Sequence, residues 1–226
     1  MDLQRFYVSV PIASFRVAQA REYWETYPCP PPSTVYGMLL SLVGEQNRLA
    51  HRGAEIALAI TSDPQRLVDT RAPYPSVVLR TLWRVKDAKV GPGLGNNKRP
   101  DFQEILSGLH LSVWVREGAS EKASASLAER LALAFDTPAN VDRFGGLSLG
   151  ESTHLVDEIR RWRQDDPAKG LMLLADDQGD LSLPIWPDHV GSQGTRWGQF
   201  KLDDMALNEQ PPERAWITIY PPETDG

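Results

Sequence analysis

The sequence predicts an α+β protein. Its first two thirds follow a ferredoxin-like β-α-β-β-α-β plan, with a long excursion inside the central hairpin and a small β-rich region after it. Three observations carry this. Segments of period-two and period-3.6 apolar spacing alternate in that order. A Gly-, Asn- and Pro-rich stretch with embedded cations, VGPGLGNNKRPDFQEIL at 90–106, separates two strand-like segments. The last third is acidic, rich in turn residues and punctuated by short β-like runs.

The elements read as follows. RFYVSV at 5–10 sets Phe6, Val8 and Val10 against Tyr7 and Ser9, a strand with one buried face that Pro11 and ASFR should end. Residues 17–32 read as a loop whose final prolines hold an extended, stiff backbone. Ser33 or Thr34 should cap a helix over 34–47, buried through Val35, Tyr36, Leu39, Leu40, Leu42 and Val43 and closing near Gly44. EIALAIT at 55–61 is the second strand and VVLRTLWRVK at 77–86 the third. The third places Val77, Leu79, Thr81, Trp83 and Val85 on an apolar face, with Arg80, Arg84 and Lys86 opposite. LHLSVWVR at 109–116 repeats the pattern, with His110, Ser112, Trp114 and Arg116 on its polar face. Two such strands predict a sheet covered by helices on one side only. A second helix follows at 120–135, a Gly-rich turn RFGGLSLGEST at 143–153, and a strand near 153–159. The remaining strand-like runs are LMLLA (171–175), LSLPIW (181–186) and WITIY (216–220). We expect residues 1–160 to form the main domain and 161–226 a small β-rich C-terminal region.

Composition narrows the function. The chain has 226 residues, one cysteine and a net charge of −6. A single thiol forbids internal disulfides and multi-thiolate zinc sites and fits a reducing cytoplasm. No apolar run is long enough to span a bilayer, and the N-terminus lacks the features of a secretory signal. The charge is uneven. Residues 1–118 carry 14 basic and 11 acidic side chains, and residues 119–226 carry 10 and 19. Between 66 and 99, Arg66, Arg71, Arg80, Arg84, Lys86, Lys89, Lys98 and Arg99 face only Asp69 and Asp87. Such a patch on an acidic chain suits either one particular nucleic acid or an acidic partner surface.

Catalytic signatures are missing. His51, His110, His154 and His189 show no H-E-x-x-H spacing, Cys29 has no nucleophile signature, and G-x-S-x-G and the P-loop pattern are absent. No metal or cofactor is expected. A ribonuclease needs only a placed base and a cation, for which His110 with Lys86 is the available pair.

Three segments, VPIASFR at the end of the first strand, PCPPPSTVYGMLLSLVGE at 28–45 and RFGGLSLGES after the second helix, occur in an order that resembles CRISPR-associated (Cas) protein family five. These are RAMP-superfamily subunits of type I Cascade effector complexes, and the match spans residues 10–152. The resemblance implies a ferredoxin-like (RRM-like, RAMP) domain with a thumb β-hairpin, here about 80–108. It implies a subunit that binds the 5′ handle of the crRNA and caps the backbone filament. Such a subunit contacts the backbone and large subunits and presses its thumb on the guide–target DNA duplex near the start of the spacer. The implied RNA-contact residues are Ser14, Arg16, Thr34, Tyr36, Arg80, Arg84, Lys86, Lys98, Arg99, Arg143, Gly145 and Gly146. One branch of the family cuts precursor RNA. This chain is more similar to the non-cutting forms, especially of I-B-like systems, so no catalytic residue is expected. Glu151 departs from the pattern, standing where a cation would help a phosphate; a turn cap or a pair with Arg143 is its expected role.

Overall fold

A computed structural model describes residues 3–17, 23–63, 75–87, 89–90, 97–143, 145–188 and 194–222. Arg66, Asp69, Arg71 and His189, all named above, lie outside the described residues, as do residues 91–96 of the excursion.

Period-two alternation builds the sheet. β1 (Gln4–Ala13) buries Phe6, Val8 and Val10 completely on one face. It pairs antiparallel with β5 (Lys98–Arg116) on one side and β6 (Glu158–Arg161) on the other. Pro11 does not end it. The register passes over Pro11 and Gly108, whose φ is +71°, and resumes at Ile12↔Ser107 and Ala13↔Leu106. β3 (Glu55–Thr61) pairs with the other edge of β5 and with β7 (Lys169–Ala175). β7 continues to β9 (Arg196–Ala206) and β8 (Leu181–Trp186), giving the order β6-β1-β5-β3-β7-β9-β8. The C-terminal strands therefore extend the same sheet. β9 is an element the sequence reading missed, because its alternation is broken by Gly198 and by two adjacent acids, Asp203 and Asp204. Of WITIY, only β10 (Ile217–Thr218) pairs, along β3.

Both helices lie on the Phe6 face. α1 (Pro32–Leu42) contributes Val35, Leu39 and Leu40, and α2 (Leu127–Asp136) contributes Leu127 and Leu131, to one core with Ile56, Leu58 and Leu111. Each fully buried Leu contributes roughly 1.5–3 kcal/mol relative to exposure. α1 begins two residues earlier than the spacing predicts, and neither Ser33 nor Thr34 caps it. Pro31, at φ −57° and ψ 147°, is the N-cap residue, and its carbonyl accepts the Thr34 and Val35 N–H groups. Pro32 at the first helical position, with φ pre-set and no N–H to satisfy, favours the start without a polar cap. Gly44, at φ +69°, closes the helix. Glu45 N–H donates to Leu40 O and Gly44 N–H to Ser41 O, the paired bonds of a Schellman ending. α2 starts at 127 rather than 120 because Ser126 and Glu129 form a reciprocal capping box.

The opposite face of the sheet is covered too. Trp114 is fully buried among Ala57, Ala59, Met172, Leu174 and Leu207, with Ala215 over them. Helices occupy one side, as expected, but the C-terminal segment closes much of the other.

The excursion is a long arm. β5 runs 19 residues, and its first eight lie beyond its register with β1. They pair with β4 (Ser76–Val85) from Val85↔Lys98 to Ser76↔Ser107. Residues 98–106, read from sequence as irregular, are thus strand, while β4's apolar face is not covered as expected: Val77, Leu79 and Trp83 are exposed. No helix reaches this far, so the alternation that reads as a buried face stands in solvent. β2 (Tyr23–Trp24) pairs parallel with β5 at Phe102 and Gln103, bracing the arm's root.

Candidate nucleic-acid interface

Four arginines converge where the arm leaves the sheet. Beyond β1, residues 15–17 pair back against 25–27: Phe15 N–H donates to Thr26 Oγ1 at 2.8 Å, Tyr27 N–H to Phe15 O at 2.9 Å and Val17 N–H to Glu25 O at 3.0 Å. This short ribbon sets the Arg16 guanidinium 4.2 Å from the Trp24 ring centre, with Arg84 of β4 at 5.9 Å from the same ring. Arg84 also pairs with Asp101 at 2.9 Å, and Arg99 reaches Asp101 at 3.5 Å. Arg80 bonds Gln103 and approaches Glu151 at 3.8 Å. Cross-strand partners share a face, so Arg80, Arg84, Arg99, Asp101 and Gln103 all lie on one side of the arm. Asp101 and Gln103 are buried while the arginine side chains stay about 40% exposed, so the cationic groups line the rim toward solvent.

The Gly-rich turn closes the site from the other side. It is a tight hairpin, with Ser148↔Leu155 bridged, Leu149 N–H on His154 O and Val156 N–H on Leu147 O. Glu151 at its tip accepts from Gln103 Nε2 at 2.6 Å, tying the hairpin to the arm. Its partners are thus Gln103 and Arg80, not the expected Arg143, which donates to the Gly145 carbonyl. Gly150, at φ +93°, lets the hairpin press on β1; a Cβ there would lie 2.8 Å from Ser14 O. Gly145, at φ +78°, has nothing within 4 Å of its Cβ position and faces open space. Its backbone is accessible to a ligand.

His154 is buried under this hairpin. Its Nδ1 accepts the Ser14 N–H at 3.2 Å, which leaves the ring proton on Nε2, 3.8 Å from Glu151 Oε2. Burial holds its pKa below the usual 6.5 despite Glu151, so the ring is neutral. Ser14 Oγ and His154 Nε2 are both buried without a hydrogen-bond partner among the described residues.

Other expected residues fall elsewhere. Tyr36 is a core side chain: its hydroxyl donates to Arg48 O at 2.8 Å, its ring lies against Trp186, and burial carries its pKa well above the usual 10. It cannot touch RNA, and Thr34 follows a helix start packed beneath β8, where Ser33 donates to Pro184 O. Arg143 sits on the rim of the groove between α1 and α2. Lys86 and Lys98 project from the outer arm, with no ion-pair partner among the described residues. His110 and Lys86 are not brought together. His110 Nδ1 bonds the Tyr7 hydroxyl at 2.6 Å in the sheet body, about 40 Å along β5 from the Lys86 position. Trp24, Gln103 and Asp101 escaped the sequence reading; an aromatic pair in a polar loop was the available signal for Trp24.

No protein-family model matches the chain. It is 41% identical over 199 residues to the CRISPR-associated protein Cas5 of Myxococcus xanthus (strain DK1622), covering 88% of this chain and 89% of that protein. The chain belongs to the Cas5 family. Among solved structures, a chain of a CRISPR RNA-guided surveillance complex superposes with a TM-score of 0.56 at 14% identity, covering 90% of each chain. A second, described as a Cas protein, gives 0.47 at 14% identity over 92% of this chain and 95% of the other. The first shows that this Cas5-family chain shares its fold with a surveillance-complex component. Among the described residues no helix is long and apolar enough to cross a membrane.

Proposed function

We propose that this Cas5-family chain is a non-catalytic subunit of a CRISPR surveillance complex that holds the 5′ handle of the crRNA at the root of its arm. The observation that carries this is the placement of Arg16 and Arg84 over Trp24, with Arg80 and Arg99 on the same side of the arm. Guanidinium groups neutralise phosphates, and an arginine stacked on an indole is presented in a fixed plane for a phosphate or base. Single-stranded RNA is recognised through such combinations of cation, stacking surface and accessible backbone. The strand order β6-β1-β5-β3 with both helices on one face supports the ferredoxin-like (RAMP) reading, and the β4–β5 arm is the thumb. In the assembled complex the subunit caps the backbone filament, and Lys86, at the outer end of the arm on its arginine side, faces target DNA near the start of the spacer.

The test is binding of a labelled CRISPR repeat RNA without metal across a salt series, for the parent, Arg16→Ala and Arg84→Ala. Affinity should fall with salt, and each lost phosphate contact should reduce the log–log slope by about 0.7. The RNA should stay intact. Cutting at one position in the repeat, or variants indistinguishable from the parent, would overturn the reading.

A further inference from the structure

The arm has a second face that RNA binding leaves unused. Leu79 of β4 lies beside Glu104, Thr81 beside Phe102 and Trp83 beside Pro100, all opposite the arginine side. Tyr23 of β2 joins Phe102 in the same row. Exposure is 69% at Trp83, 63% at Val77, 54% at Leu79 and about 40% at Phe102 and Tyr23. Single exposed apolar residues are ordinary; a continuous stripe of them along one hairpin marks an interaction surface. The strand itself is also open. Among the described residues β4 pairs only with β5, so alternate residues along its ten leave their backbone N–H and C=O groups open on the outer edge. A long apolar edge of this kind invites pairing with another strand.

Three features identify the occupant. The face carries the Glu104 carboxylate, fixed by Tyr23 Oη at 2.9 Å and Thr26 N–H at 3.0 Å. Opposed by Lys98 alone on this side, it repels a phosphate backbone, whereas the cations for RNA stand on the other face. The stripe runs at its base into an apolar cleft of about 300 Å³ between Pro28, Pro75, Val77 and Leu106, a receptacle for an aliphatic side chain. Finally, ten residues at about 3.3 Å and two strands at about 4.8 Å make a face of roughly 300–400 Å². A self-standing interface needs about 800 Å² per partner. The face is too small to hold a homodimer and suits one part of a larger contact inside an assembly.

We propose that β4 is a docking edge for an extended segment of a neighbouring protein subunit. Resting on the reading that this chain works inside a multisubunit complex, the segment adds as a strand to the arm. Its apolar side chains alternate toward Leu79 and Trp83. The proline-rich segment before α1 then has a second role, since Pro28 walls the cleft that takes the end of the incoming strand.

The complex assembled by co-expression with the subunits encoded beside this chain and a repeat RNA provides the test. A photo-cross-linking residue at position 79 should couple to a protein subunit, and β4 amides should exchange at least tenfold more slowly in the complex than in the free chain. Leu79→Asp and Trp83→Asp, both at exposed positions, should lose that subunit while the free variants bind repeat RNA with the parent's affinity and salt slope. Cross-links to RNA, cross-links to a second copy of this chain, or unchanged β4 exchange would each overturn the proposal. The RNA affinity of the free parent protein reports separately on the handle-binding function, so the two readings fail independently.

Discussion

Replacing Gly150 and Gly145 by alanine, one at a time, separates a glycine required by packing from one that leaves room for a ligand. Both have positive φ, so each substitution carries the left-handed penalty of roughly 1–2 kcal/mol. Only Gly150 adds a collision. Its new methyl would sit 2.8 Å from Ser14 O and 3.2 Å from the Phe15 ring, and the oxygen is backbone that cannot swing aside. Relieving such overpacking costs a further ~1–3 kcal/mol. Gly150→Ala should therefore lose roughly 3 kcal/mol, a fall in Tm of roughly 6–12 °C for a chain of this size, against about 2–8 °C for Gly145→Ala. Differential scanning calorimetry reads both. Repeat-RNA binding should show the reverse order below either transition, with Gly145→Ala weakening affinity more because its methyl enters open space at a candidate RNA contact. Equal Tm shifts would refute the packing of the hairpin on β1, and unchanged RNA affinity in Gly145→Ala would remove that backbone from the interface.

Further outcomes follow from buried polar groups. Asp166 accepts two hydrogen bonds from Arg160, at 2.7 and 2.6 Å, and one from Arg163 N–H. Burial works to raise its pKa, but these bonds outweigh it and hold the value below 3.8. Because the folded value is the lower one, the stabilisation is complete above about pH 4 and is lost as pH falls through the folded value. Urea titrations between pH 2 and 7 should show this component, and Asp166→Asn should abolish it and cost about 2 kcal/mol at neutral pH through the weakened bonds to Arg160, which keeps its pair with Glu158. Tyr36→Phe should lower stability by about 1 kcal/mol through the lost bond to Arg48 O, with RNA affinity unchanged, in a paired denaturation and binding measurement. Cys29 is fully buried and its thiol is pushed up to about 12, so a thiol-reactive dye should label it only at the rate of unfolding.

Much of the scaffold was legible in the chain. Phe6, Val8 and Val10 announced β1, Val35 and Leu39 announced α1, and the embedded Lys98 and Arg99 marked the excursion. Boundaries were missed where local rules compete. Pro31 stands where a polar cap was expected, and the Ser126–Glu129 box starts α2 seven residues after 120. Trp83 and Leu79 followed a buried-strand pattern yet stand in solvent, since alternation says which side chains share a face and nothing about what covers it. The site divided in the same way. Arg16, Arg80, Arg84 and Gly145 were visible as residue types in a suggestive order, whereas Tyr36 met the same criterion and proved to be core.

The sequence by itself determined most of the elements, the single thiol, the basic run and the family. Tertiary structure alone decided which cations meet. Arg16 and Trp24 reach Arg84 because β2 crosses β5 at Phe102 and Gln103, and Glu151 reaches Arg80 because Gly150 allows the hairpin to rest on Ser14. Those contacts join residues from 16 to 151 through cross-strand register and backbone approach. Both are set by the packing of the whole sheet, and no local window of sequence encodes them.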